Sequence, residues 1–192
     1  DVEGAQGARG REGCGLNKRA SFGAQVSEAS QLDQGDRRSR RTMRDLVALS
    51  TLPAVWVGQG PNAIARSLGD VLFNTLSLDL LYLRLADSGE TDSSEVIRAR
   101  RPLSAAEEAA LKISLAPLVN SYAGEVTSQI ADPSGTRELH VAVTHFGVAG
   151  DHGVLVACSR RPDFPAEQDR LILGISANQA AVAMQRRRVD SE

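Results

Sequence analysis

Phe164-Pro-Ala-Glu-Gln-Asp-Arg170-Leu-Ile-Leu-Gly-Ile-Ser-Ala-Asn-Gln-Ala180-Ala-Val-Ala-Met-Gln-Arg-Arg-Arg188 is the stretch whose reading decides the fold. It predicts one long helix over about 165–188. Pro165 suits a first turn, where its missing N–H leaves nothing unpaired. Glu167 and Asp169 put negative charge at the positive end of the helix dipole, and Arg186, Arg187 and Arg188 put positive charge at the other. On a 3.6-residue wheel, Leu171, Ile175, Asn178 and Val182 share one side. Leu173, Ala177, Ala180 and Met184 share another, two residues round and nearly opposite. A surface helix ordinarily has one apolar stripe; this one has two. The expectation is that one stripe covers its own domain. The other, rich in small residues, meets a partner helix. The alternative is a fully buried helix in a larger core, against which the three terminal arginines argue.

Moving outward from this helix, Glu138 to Phe146 and Val154 to Arg160 form the clearest strand pair, joined through the Gly147–Gly153 region. Glu125 to Ile130 predicts a further strand and Asp132-Pro-Ser-Gly135 a turn. Ser104-Ala-Ala-Glu107 is a capping box that opens a helix running to about Ala116, before Pro117. Leu78 to Ala86 alternates, with Leu81, Leu83 and Leu85 on one face and Leu80, Tyr82 and Arg84 on the other. Asp87 to Glu90 is a turn, and Glu95 to Arg100 completes a hairpin. Two helices precede these strands: one from Thr42 ending before Pro53, and one opened by Pro61 with Ile64, Leu68, Leu72 and Leu76 at helical spacing. Hairpin-joined strands with flanking helices imply an α+β domain. Its central antiparallel sheet has about five to six strands. The N- and C-terminal helices pack on one face; the middle helix and loops lie on the other, where a small-molecule pocket forms.

Composition narrows the function classes. The 192 residues carry 22 basic against 24 acidic side chains, so nothing points to nucleic acid as a general partner. No apolar run approaches the roughly 20 residues that span a bilayer. The two cysteines, Cys14 and Cys158, form no metal or redox motif, and a reducing cytoplasm is the expected location. Residues 1–41 hold seven of the 17 glycines and few large apolar side chains, and are expected to be disordered or loosely ordered. The basic run Arg37-Arg38-Ser39-Arg40-Arg41 reads as a solvated linker. With no initiator Met and no signal-peptide pattern, the chain is expected to be a piece of a longer protein.

The order of elements over about residues 42–188 resembles the GAF domain, a ligand-sensing and dimerising module. The likeness is carried by Phe164, Asp169, Leu173, Ala177-Asn178-Gln179-Ala180 and Ala183 in the terminal helix, and by the strand pair before it. The blocks Met43 to Trp56 and Leu78 to Leu85 look like the GAF region of bacterial sensor histidine kinases. The resemblance implies a non-catalytic sensory domain of a two-component kinase. Such a domain forms a homodimer, adjoins sensor or kinase domains in its parent chain, and passes a signal through its terminal helix. The regulatory GAF domain of a transcription activator and a ligand-free structural adaptor are the alternatives. Leu173, Ala177, Ala180 and Met184 are the expected dimer and signalling residues.

Candidate ligand residues are few. Tyr82 and Arg84 share a face of a central strand, where Arg pairs an anion and Tyr stacks or hydrogen-bonds. His145 and Cys158 complete the candidate pocket. His140 and His145 are an odd number of residues apart on one strand, so they face opposite sides and cannot chelate one metal. Nothing marks His145 as a haem ligand, the bilin-attachment pattern is absent, and no cyclic-nucleotide signature follows the middle helix. The cofactor is therefore unknown, and no catalytic or metal site is assigned.

Overall fold

The computed structural model describes residues 43–44, 47, 49–86, 93–121, 125–133, 135, 137–147 and 152–191. The expectations for residues 1–41, and for most of the turns at 87–90 and 147–153, fall outside them. The chain divides into two units, Asp1–Arg44 and Asp45–Glu192, and every element named below belongs to the second. The order is helix 49–55 (α1), Pro61–Thr75 (α2), Leu80–Ala86 (β1), Ser94–Ala99 (β2), Ala105–Val119 (α3), Glu125–Ala131 (β3), Glu138–Phe146 (β4), His152–Ser159 (β5) and Glu167–Ser191 (α4).

The five strands form one antiparallel sheet in the order β2-β1-β5-β4-β3. Alternation along each strand sends its side chains to two different cores. Leu81, Leu83 and Leu85 of β1 and Leu155 and Ala157 of β5 join α1, α2 and α4 in one core. Leu80, Tyr82, Val154, Val156 and Cys158 point the other way and meet Leu111, Leu115 and Val119 of α3. The first, second and last helices thus share one face, and the middle helix covers the other. Each fully buried leucine contributes about 1.5–3 kcal/mol by leaving water. An aliphatic core of this kind therefore suffices without many aromatic rings.

Two glycines allow close approaches. At Gly69 of α2, an added Cβ would touch Leu81 and Val96 at 3.4 Å, so the bare backbone lets α2 settle onto β1 and β2. At Gly153, which pairs with Phe146 across β4 and β5, an added Cβ would come within 2.2 Å of the Phe146 ring. The ring lies over the glycine and fills the space a side chain would take.

The structure corrects two helix ends. Helix α1 passes through Pro53, and α3 passes through Pro117 to Val119. Each proline lies close to its helix end, where the ladder loses one bond and then resumes: Trp56 N–H donates to the Leu52 carbonyl and Asn120 N–H to the Ala116 carbonyl. The capping box of α3 is formed as its sequence predicts. Ser104 Oγ accepts from Glu107 N–H, and the Glu107 carboxylate accepts from Ser104 N–H at 2.8 Å.

Helix α4 corrects a larger expectation. Leu173, Ala177, Ala180 and Met184 are all buried, Ala180 completely, and Leu173, Ala180 and Met184 join the core that contains α2 and one face of the sheet. Leu171, at 51% exposure, and Val182, at 45%, face outward with the exposed Asn178. The two stripes are therefore exchanged relative to the sequence reading. The small residues let α4 lie close to its own domain, and the larger stripe is left on the surface. The helix begins with a buried cap: Asp169 accepts from Ala166 N–H at 2.9 Å and from Arg161 Nη2 at 2.7 Å.

Candidate functional site

The face covered by α3 carries two polar groupings. The first lies towards the β2 edge. The Tyr82 hydroxyl donates to Glu95 Oε1 at 2.9 Å, and Lys112 Nζ donates to Glu95 Oε2 at 2.7 Å. A chain of bonds therefore ties β1 through β2 to α3. Burial and the adjacent Glu95 push the Tyr82 phenol up to about 12, with Arg84 acting in the opposite direction. Burial pushes the Glu95 carboxyl up, but hydrogen bonds from Lys112 and Tyr82 outweigh it and leave the carboxyl below its ordinary value.

The second grouping lies at one end of the sheet, where β1 begins and β2 and β5 end. Asp79 organises it. Its backbone N–H donates to the Cys158 carbonyl, and its own carbonyl accepts from Arg100 N–H. Its carboxylate accepts from Arg160 N–H at 2.7 Å and pairs with Arg100 Nε at 3.0 Å. Arg100 Nη2 also donates to the Ser77 carbonyl at 2.8 Å. The Arg160 guanidinium reaches the buried Asp132, donating through Nε at 3.2 Å and through Nη2. Arg101 pairs with Glu107 and donates to the Pro102 carbonyl. Hydrogen bonds from Arg101 and from Ser104 take the Glu107 carboxyl down to about 2.

These side chains surround a cleft of about 150 Å³. Leu80, Leu103 and Leu139 form its apolar part; Asp79, Asp132, Arg100, Arg101 and Arg160 form its charged part. It is smaller than the roughly 300–1,000 Å³ of drug-sized pockets, but its lining mixes apolar and charged side chains as ligand sites do. An open groove of about 410 Å³ lies elsewhere, where His140 and Gln129 meet Phe164 and Arg170 near the start of α4.

The residues expected to form a pocket are held by the protein itself. Tyr82 is buried and its hydroxyl is spent on Glu95. Arg84 lies on the same face and acts on that phenol. The His145 Nε2–H donates to the Val119 carbonyl at 3.1 Å, at the C-terminal end of α3, so His145 closes a helix end. The Cys158 thiol is fully buried, and its burial raises its pKa, which makes it a small apolar core residue. None of the four lines the charged cleft. The residues that do were missed by sequence reasoning. Their one local signal was the pair of double arginines, Arg100-Arg101 and Arg160-Arg161, that end two strands. Among the described residues no group of three or more His, Cys, Asp or Glu side chains could hold a metal ion. No helix among them is long and apolar enough to cross a membrane.

Comparison with solved structures identifies the architecture. The GAF domain of a protein assigned as a sensor histidine kinase from Pseudomonas syringae pv. tomato superposes with a TM-score of 0.53 over 84% of this chain and 96% of that domain, at 16% identity. GAF3 of a Synechocystis protein, in its photoproduct state, covers 69% of this chain and 98% of its own at TM-score 0.45 and 10% identity. A GAF domain/HD domain protein from Geobacter sulfurreducens covers 71% of this chain and 97% of its own at TM-score 0.39 and 16% identity. The last two overlaps are too loose to argue from. The first shows that this chain has the fold of a GAF domain. No family model matches the chain, and no curated protein matches it in sequence.

Proposed function

We propose that this chain is a non-catalytic sensory GAF domain of a bacterial two-component histidine kinase, acting in the cytoplasm. It binds a small molecule on the α3 face and passes the signal as a homodimer through α4 to an adjacent sensor or kinase domain. The observation that carries this reading is the outer face of α4. Leu171, Ile175, Asn178, Val182, Gln185 and Val189 follow one another at spacings of four and three residues. This is the a/d repeat of a coiled coil. Five of these six residues are exposed and Ile175 is half-buried, with Val189 69% exposed near the end of the helix, while the inner face of the same helix is fixed in the core. A polar Asn178 within such a seam sets register at some expense of stability. A helix seated on its domain by one face and paired by the other couples the domain to whatever follows it. The fold shared with a domain from a sensor kinase supports the choice of parent protein.

The test is sedimentation equilibrium of the purified chain and of Leu171→Glu/Val182→Glu. A dimer that becomes a monomer in the variant, with an unchanged circular dichroism spectrum, supports the reading. A wild-type chain that stays monomeric up to hundreds of micromolar overturns the α4 pairing.

A further inference from the structure

The cleft at the end of the sheet has a definite charge pattern and size. Three arginines and two aspartates line it, and the third arginine, Arg101, is balanced by Glu107 from outside the lining. A carboxylate can take the place of Glu107 on Arg101, whereas a cation or a neutral molecule must separate ion pairs without replacing them. The remaining wall is apolar, from Leu80, Leu103 and Leu139. The volume of about 150 Å³ matches cavities that hold benzene, about six non-hydrogen atoms. One arginine can turn to a ligand at little loss. Arg100 and Arg160 are tied to the partly buried Asp79 and the buried Asp132. Arg101 is 48% exposed, and its partner Glu107 also holds Ser104 N–H and Ser104 Oγ at 2.8 Å each. When Arg101 turns away, Glu107 keeps those two bonds at the start of α3, where the helix dipole favours a negative charge.

We propose that this cleft binds a small monocarboxylate of about six non-hydrogen atoms, its carboxylate on Arg101 and its short apolar tail against Leu103 and Leu139. The inference rests on the sensory reading above and names the class of its ligand. Binding moves Arg101 off the first turn of α3, at the β2–α3 connection, and so changes the hold on the helix that covers this face.

The 192-residue chain is titrated with sodium butyrate, with butyramide and with inorganic phosphate at constant ionic strength, by calorimetry, and the series is repeated on Arg101→Gln. The expected result is one-to-one binding of butyrate at least tenfold tighter than butyramide, with phosphate no tighter than butyramide. Arg101→Gln loses that preference while its circular dichroism is unchanged. Equal binding of acid and amide, preferred binding of phosphate, an unaltered affinity in Arg101→Gln, or no saturable butyrate binding each overturns the proposal. Sedimentation of the same samples separates the two readings. A dimer that ignores butyrate removes the ligand class alone. A monomer that binds butyrate removes the α4 relay and keeps the site.

Discussion

Replacing Ala177 and Ala180 together by leucine tests which way α4 faces. Both alanines are almost completely buried, at 1% and 0% exposure, between α4 and its own core. Each substitution adds three carbon atoms at a position with almost no exposed surface, and Ala180 already packs in the core that holds Leu173 and Met184. Overpacking of a filled core costs about 1–3 kcal/mol per site. The two positions are one helical turn apart and share neighbours, so their effects need not add. A combined loss of about 2–5 kcal/mol is expected, against a total stability of about 5–15 kcal/mol for a domain. Urea unfolding followed by circular dichroism reads it directly: the midpoint falls while the slope is unchanged. Leu171→Glu/Val182→Glu is the contrast: both positions are on the monomer surface. Below the concentration at which the proposed dimer forms, each change should stay within about 0.5 kcal/mol, and above it the variant should lose only what pairing adds. If the double-leucine variant keeps the wild-type midpoint and instead dissociates, the alanine stripe faces a partner and the orientation given to α4 is wrong.

Gly153→Ala should destabilise the fold by about 1–3 kcal/mol, because its Cβ displaces the Phe146 ring. In a Phe146→Ala background the added methyl has room, so a double-mutant cycle should show strong coupling; simple additivity would contradict the close approach. The Tyr82 phenol lies at about 12 in the folded chain against 10.0 for a free side chain. Its contribution is complete below pH 10 and is lost as the pH rises toward 12, because the unfolded chain ionises first. Tyr82→Phe should lower stability at neutral pH by about 0.5–1.5 kcal/mol and flatten this alkaline decline. Glu107 works in the opposite sense. Its carboxyl is held at about 2 against 4.5, so its contribution is full above pH 4.5 and fades as the pH falls toward 2. Glu107→Gln should flatten the acid limb of a stability–pH profile, and an unchanged limb would mean the Arg101 and Ser104 bonds do not persist in solution.

Much of the fold is legible in the sequence because local rules suffice for it. The alternation of Leu80 to Leu85 states which side of β1 meets which core, and Pro61 and Ser104 mark where two helices begin. Where local rules are silent, the reading fails. Pro53 and Pro117 look like stop signals, yet a proline close to a helix end removes only one bond of the ladder. The two stripes of α4 are both apolar, and alanines permit close approach to any neighbour, the helix's own domain included. The ion pairs at the sheet end were out of reach for a different reason. Asp79 and Arg160 are separated by 81 residues and meet only because β1 and β5 pair in one register. A charged residue at a strand end does not announce its partner.

Trp56 gives the domain an optical reporter. It is the chain's one tryptophan, it is 3% exposed, and it lies in the core beneath α1, α2 and α4. The charged cleft borders the opposite core, across the sheet. A ligand in that cleft cannot quench or shield the indole by touching it. Any change in tryptophan emission on binding would therefore be a record of strain carried through the thickness of the sheet to the helical side, measurable on the unlabelled chain in a cuvette.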